Sequence, residues 1–358
     1  MKSYDIAVIG GDGIGPEVVR EGLKVLAVVA ERAGFETRLH PYPHGSEHYL
    51  ATGELFPDPV LEEIKGMHAV LLGAIGDPRV EVGLVERAVI GGLRWKLDMY
   101  INLRPIKLYA EHLCPLKGKR PQDLDIIVVR ENTEDLYVGV GGFFKQGTPD
   151  EIAIGDMIVT RKGCERAVRY AFEIARQRPR RQLHLVDKAN AVRAHDLWRR
   201  TLAEVGREYP DVKTEGIYID AACMWLVKNP EWFDVVVTTN MFGDILTDIG
   251  AMLQGGLGVA ASGNIHPGRV SMFEPIHGSA PKYAGKNVAN PLATIAAVQM
   301  MLAFLGESAA AAAVEDAIRR ALVERHLPSL GADSGLKTSE IGDLLARLVA
   351  ESFAPASR

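Results

Sequence analysis

No run of 18 apolar residues occurs anywhere in the 358 residues, so no segment is long enough to cross a membrane as a helix. Cysteine is sparse. Cys114, Cys164 and Cys223 are far apart, odd in number and form no CxxC pair, which points to a reducing compartment and to thiols used as small core residues. Positive charge is not in excess: 41 lysines and arginines against 46 aspartates and glutamates leave −5, so neither nucleic acid nor an anionic membrane surface is the expected partner. The stretch from Met1 to Gly10 has no long apolar core and no small-residue cleavage site. It reads as a first strand rather than a signal peptide, and the expected location is the cytoplasm. Internal repeats and long Ser/Gly linkers are also missing, so chain crossings between domains fit better than beads on a string.

With 47% hydrophobic and 24% charged residues, the composition is that of a compact globule, and the length predicts about two domains. Strand-like runs at 6–9, 69–72, 126–129, 183–186, 217–219 and 235–238 alternate with helical ones at 16–32, 163–176 and 191–205. That alternation predicts an α/β fold on a mainly parallel sheet. The last third turns to Ala-rich helices at 291–305, 308–324 and 339–353.

The segment FDVVVTTNMFGDILTD, 233–248, holds the strongest chemical signal. A β-branched run ends in Thr-Thr-Asn, and helical spacing then places Asp244 and Asp248 on one helix face. At i, i+4 the two carboxylates are about 6 Å apart, close enough to share a hard cation, although a solvated acidic face is the plain alternative. Arg130, Lys188, Asp220 and Asn240 all stand at the C-terminal ends of predicted strands, where open α/β sheets bind ligands. Arg94, Arg104 and Arg130 lie in apolar settings. Singly each suits a structural ion pair; together they suit a di- or tricarboxylate, because the guanidinium fork matches a carboxylate. Tyr137 is flanked by glycines and would ordinarily pack in a core or interface. His44 and His48 are four apart, but their Pro-His-Gly-Ser surroundings read as a loop rather than a metal-binding helix. Gly10-Gly11-Asp12-Gly13-Ile14-Gly15-Pro16 resembles a phosphate loop without matching GxGxxG, and no acidic residue ends a second strand at the expected offset. A standard Rossmann site is disfavoured, and a tight turn lining some ligand is left.

Taken together, GDGIGPEV, LLGAIGDP, NLRP, VRENTEDLY, DKAN, YIDA, NMFGDILTD and FEPIHGSAP resemble, in this order, the metal-dependent β-decarboxylating dehydrogenases of 2-hydroxy acids, the isocitrate/isopropylmalate dehydrogenase family. The resemblance spans almost the whole chain. It implies two α/β domains around a large, mainly parallel sheet, not a Rossmann fold: residues 1–102 with 255–358 for the cofactor, and 103–254 for dimerisation, substrate and metal. It also implies a homodimer with shared active sites. Arg94, Arg104 and Arg130 would grip a 2-hydroxy diacid, with Ile90, Gly91 and Asp220 around it. Asp244 and Asp248, with Asp220 of the partner subunit, would hold Mg²⁺ or Mn²⁺. Lys188 of the partner subunit would act on the 2-hydroxyl proton and Tyr137 would donate a proton after decarboxylation. Ile14, Gly73, Ala74, Glu274, His277, Gly278, Ser279, Ala280, Pro281, Lys282, Tyr283 and Asn290 would line NAD or NADP.

Within the family, residues 86–94, ERAVIGGLR, bear on the substrate. Isocitrate enzymes place serine and asparagine at the positions of Ala88 and Ile90, and isopropylmalate enzymes usually carry leucines at those of Ile90 and Gly91. The expected pocket is apolar and roomy at Gly91 and Ala191. The LLGAIGDP and YINLRP stretches most resemble the bacterial 3-isopropylmalate members, so the expected reaction converts 3-isopropylmalate to 2-oxoisocaproate in leucine biosynthesis. Tartrate or malate, homoisocitrate or isocitrate oxidation is the alternative, and a catalytically silent regulatory subunit is the alternative of another class. Lys282 replaces an aspartate usual in isopropylmalate enzymes, so NAD is expected to remain usable and NADP to be admitted.

Overall fold

The computed structural model describes residues 2–327, 329–332 and 334–353. The chain forms two compact units: 1–99, 107–121 and 251–358 in the first, 100–106 and 122–250 in the second. The fold class is α/β, and the strands are mostly parallel.

In the first unit the strand Ser3–Gly11 pairs in parallel with Glu36–Tyr42 on one side and Ala69–Ala74 on the other; Ser271–Pro275 and Ala261–Ile265 extend the order. Ile6, Ala7, Val8 and Ile9 are all buried, as a strand covered on both faces requires, which is why the segment reads as a continuous apolar run. Glu36–Tyr42 is the edge strand and mostly polar, so it carries no strand signature in the sequence. Helix Gly15–Ala33 buries Val18, Val25, Leu26 and Val29 and stops at Gly34, whose left-handed φ of 76° closes the C-terminus. Helix Leu292–Phe304 is buried all round, with Leu292, Ile295, Val298 and Met301 at or near zero exposure. The Ala-rich segments form helices Ser308–Val323 and Thr338–Ser352.

In the second unit the strand order is Ile101–Lys107, Asp125–Glu131, Val235–Thr238, Gln182–Asp187, Lys213–Tyr218. The register pairs Thr238 with both Arg130 and Val186, and Asp187 with Tyr218. Parallel strands in that register end together. Their ends therefore present Arg130, Asn240, Lys188 and Asp220 along one edge of four adjacent strands. A separate antiparallel hairpin, Gly141–Phe144 with Ile152–Gly155, leaves Phe143, Phe144, Ile152 and Ile154 exposed.

Two local readings are corrected, and one element is added. Residues 191–205 do not make one helix, because a 3-10 turn Arg193–His195 precedes helix Asp196–Gly206. The segment after His44 is helical from Ser46 to Thr52, and His48 lies on it. Residues Arg87–Lys96 wind as a π-helix, a wide turn with no periodicity of its own in the sequence.

Candidate active site

Helix Asn240–Leu253 follows the strand Val235–Thr238 after a single residue, and Asp244 and Asp248 lie one turn apart on it. Its start is fixed by Asp135, whose carboxylate accepts from the Met241 backbone N–H at 2.9 Å. Arg130, only 1% exposed, donates from Nε to Asn240 Oδ1 (2.9 Å) and from Nη1 to Asp244 Oδ1 (2.5 Å). Gly243 makes that path possible, because a Cβ there would lie 2.6 Å from Cγ of Arg130. Arg104 donates to Thr247 Oγ1 at 2.7 Å and lies 3.1 Å from Asp244 Oδ1 and 3.9 Å from Asp248 Oδ1. Tyr137, exposed rather than packed in the core of its unit, donates its hydroxyl to Asp244 Oδ2 at 2.9 Å and stands 5.5 Å from the Arg130 guanidinium. Asp244 is thus the meeting point of Arg104, Arg130 and Tyr137.

Burial, and then the Asp244 carboxylate, raise the Tyr137 pKa. The phenol stays protonated and able to donate. Burial also raises the Asp248 carboxyl, with Asp244 adding to the rise and Arg104 opposing it. Two carboxylates one turn apart, one of them already compensated by arginines, are the donor set a hard divalent cation takes.

Lys188 and Asp220 form a second constellation, with Lys188 Nζ donating to Asp220 Oδ1 at 2.6 Å and holding that carboxyl below its usual range. The loop is pinned by Asp187, which accepts from Ala189 N and Arg199 Nε, and by His195 Nδ1, which accepts from Lys188 N. Within one chain Asp220 forms no metal-sized triad with Asp244 and Asp248; the one triad among the described residues is His44, His48 and Glu54.

The first unit holds the other expected residues. Arg94 donates to Glu274 Oε1 at 2.9 Å, Glu274 also accepts from Asn264, and Arg94 Nε is buried with no partner among the described residues. The GDGIG turn packs against two segments of the LLGAIG and HGSAP motifs: Asp12 N donates to Ala74 O, Ile14 N to Ser279 O, and a Cβ on Gly13 would strike Ser279 O at 2.0 Å. Gly73 lies in the same turn contact, facing Gly10 and Gly15. Asp12, which the sequence reading passed over, is buried and accepts from Ser46 N, Ser46 Oγ and Gly76 N, tying the turn to the start of helix Ser46–Thr52 and to the loop at Gly76. Its signal was its place between glycines in a strand-to-helix turn. Ile14 packs with Val18, Ala289, Ala280 and Tyr283, and Lys282 Nζ stands 4.7 Å over the Tyr283 ring. A cleft of about 400 Å³ beside the turn is lined by Gly11, Asp12, Gly13, Pro16, Pro281 and Ala284. His277 keeps Nε2 buried without a partner among the described residues, and Gly278 is exposed beside it. Asn290 spends its amide on Leu330 O and Leu292 N. A larger cavity of about 630 Å³, lined by Tyr4, His68, Leu97, Val270 and Phe304, contains none of the expected residues.

One expectation about the pocket is overturned. A methyl group on Gly91 would lie 2.5 Å from Cζ3 of Trp95, so the room expected there is filled by the indole. Gly91 and Trp95 are a matched pair, and Ile90 packs against the core beside them.

The isocitrate/isopropylmalate dehydrogenase family model matches residues 5–345. The chain is 49% identical to a 3-isopropylmalate dehydrogenase of Thermobifida fusca, over 98% of this chain and 99% of that one, and 50% identical to one of Frankia casuarinae, over 96% and 98%. Among solved structures, the crystal structure of isocitrate dehydrogenase from Methylococcus capsulatus superposes with a TM-score of 0.87 at 36% identity, covering 97% of this chain and 99% of that one. No described helix is long and apolar enough to cross a membrane. The arginine-held Asp244, the Asp244/Asp248 pair and the motif order thus come with a match along nearly the whole sequence, and the chain belongs to the isocitrate/isopropylmalate dehydrogenase family, as a decarboxylating dehydrogenase.

Proposed function

We propose that this enzyme carries out the NAD(P)- and divalent-metal-dependent oxidative decarboxylation of a 3-substituted malate, 3-isopropylmalate first, giving 2-oxoisocaproate for leucine biosynthesis in the cytoplasm. The observation that carries the reading is the apolar wall next to a carboxylate receptor: Ala88, Ile90 and the Gly91–Trp95 pair share one helix with Arg94. An alkyl group on C3 suits that wall. The third carboxylate of isocitrate would meet no hydroxyl or amide at positions 88 and 90, and a buried unpaired charge is strongly disfavoured. The names of the relatives at 49–50% identity favour the same substrate over that of the isocitrate enzyme.

Arg94, Arg104 and Arg130 bind the substrate carboxylates, Arg94 through its spare Nε. Asp244 and Asp248, with Asp220 of the partner subunit, are the ligands for Mg²⁺ or Mn²⁺. Glu274, the segment His277–Tyr283, Asn290, Ile14, Gly73 and Ala74 form the dinucleotide site, and the cleft beside the turn and the orphaned His277 Nε2 support it. When bound, the cation would supply Lewis-acid stabilisation of developing negative charge and the dinucleotide would supply a hydride acceptor. Lys188 of the partner subunit removes the 2-hydroxyl proton, and its bond to Asp220 keeps its Nζ placed. Tyr137 returns a proton to C3 after carbon dioxide leaves, a task its raised pKa suits. A catalytically silent subunit would have no use for this full set.

The homodimer is supported by the apolar side chains the second unit leaves exposed: Phe143 at 65%, Phe144, Ile152 and Ile154 on the hairpin, with Met224, Val227 and Ile245 on its helices. So much exposed apolar surface marks an interface. The function is tested by assaying purified protein with Mn²⁺, each dinucleotide, and 3-alkylmalates, isocitrate and tartrate. The highest kcat/KM is expected with 3-isopropylmalate, and a preference for isocitrate or tartrate would overturn the reading.

Two results are expected at the edges of the site. Trp95→Ala opens the space over Gly91, so kcat/KM for a 3-substituent one methylene longer than isopropyl rises about tenfold relative to isopropylmalate. An unchanged ratio across an alkyl series would show that the indole faces away from the substituent. Lys282→Asp exchanges a charge that welcomes a 2′-phosphate for an acceptor that suits the ribose diol. Loss of one charged hydrogen bond is worth about 1.5–3 kcal/mol, so the NADP/NAD ratio of kcat/KM falls at least roughly tenfold. A constant ratio would place Lys282 away from the ribose.

A further inference from the structure

His44 is 4% exposed, yet among the described residues Nδ1 has no hydrogen-bond partner and Nε2 faces the Glu54 carboxylate at 3.9 Å, beyond bonding distance. Its ring lies edge-on to Phe56 (5.1 Å) and to His48 (5.0 Å). His48 Nε2 reaches the same Glu54 Oε2 at 3.0 Å. One ligand atom from each of the three residues lies within 4.8 Å of the others. The arrangement follows from the local fold: Ser46–Thr52 is helical, His44 sits just before it, His48 falls in its first turn, and Gly53 with a left-handed φ of 75° turns Glu54 back toward both imidazoles.

We infer that His44, His48 and Glu54 form a second metal site, for a zinc-class divalent cation, separate from the aspartates of the second unit. Two imidazoles and a carboxylate are the donors such a cation prefers, with water completing the shell. Bonds of about 2.0–2.2 Å in tetrahedral geometry put ligand atoms roughly 3.3 Å apart. The observed 3.0 and 3.9 Å bracket that separation, so small side-chain movements assemble the site. Glu54 is exposed and His48 half-buried, which leaves an entry path, while buried His44 supplies rigidity. Mg²⁺ favours oxygen ligands, so a triad with two imidazoles discriminates against the cation expected at Asp244 and Asp248. Occupancy would also brace the GDGIG turn. Ser46, between the two histidines, donates from both N and Oγ to Asp12.

The test is equilibrium dialysis of Zn²⁺ against the full-length protein in excess Mg²⁺, comparing the wild type with His48→Ala and Glu54→Gln. Each variant is first checked for an unchanged thermal midpoint without zinc. The wild type should bind one Zn²⁺ per chain more than His48→Ala, and Glu54→Gln should weaken that site at least roughly tenfold. Cobalt(II) should give a visible d–d spectrum of imidazole coordination in the wild type that His48→Ala abolishes. Equal zinc binding by wild type and both variants, or an unaltered cobalt spectrum, overturns the inference. Should His48→Ala fail to fold, Glu54→Gln, altered at an exposed side chain, decides on the same readings. Neither residue belongs to the proposed reaction machinery, so a negative result leaves the substrate reading standing.

Discussion

Asp244→Asn is expected to lower kcat/KM with Mn²⁺ by on the order of 10²–10³-fold while the protein stays folded. The carboxylate is where Arg104, Arg130 and Tyr137 converge, and under the proposed function it is also a ligand to the cation. Asparagine keeps the shape and one acceptor oxygen but removes the charge that both a hard cation and two arginines require. Metal stabilisation of transition-state charge is worth several kcal/mol, and each 1.36 kcal/mol is about tenfold in rate, which sets the scale of the loss. The fold survives because Arg130 keeps its bond to Asn240 Oδ1 and Arg104 its bond to Thr247 Oγ1. Asp248→Asn should behave alike. The check is steady-state kinetics across a Mn²⁺ titration beside a thermal melt; full turnover of the wild type in a strong chelator would defeat the metal assignment.

Mixing two dead proteins should restore activity. Lys188 and Asp220 touch each other, yet Asp220 is not brought to Asp244 and Asp248 within one chain. If each active site takes Lys188 and Asp220 from the partner subunit, a dimer of one Lys188→Ala and one Asp244→Asn chain carries both lesions in one site and none in the other. Free exchange of equal amounts makes half the dimers mixed, with half their sites intact, so recovery to about a quarter of wild-type turnover is expected. The measurement is activity after subunit exchange, with heterodimers confirmed by mass. Confirmed heterodimers without turnover would mean that each chain builds its site alone.

Local rules in the sequence determined much of this protein. Runs such as Ile6–Ile9 and Val235–Thr238 announce buried parallel strands because both faces must be apolar, and the i, i+4 spacing of Asp244 and Asp248 places them on one face of any helix through them. The strand-end positions of Arg130, Lys188 and Asp220 were legible for the same reason. The tertiary structure alone decided what these groups touch. Asp244 meets Tyr137, Arg130 and Arg104 from 107, 114 and 140 residues away, and Gly243 is needed only because the Arg130 side chain passes beneath it. The π-wound turns of 87–96 set Trp95 over Gly91, filling a space that residue sizes alone left open. The polar edge strand Glu36–Tyr42 and the exposed hairpin at 141–155 lack the apolar periodicity that marks a covered element. Likewise His44 and His48 look like loop residues in the sequence, and only the seven-residue helix that carries His48, with the turn at Gly53, brings both histidines near Glu54. Periodicity records how each residue meets its near neighbours in the chain and the burial of its element; the partner a long polar side chain finds depends on strand order and register, and these were settled only when the chain folded.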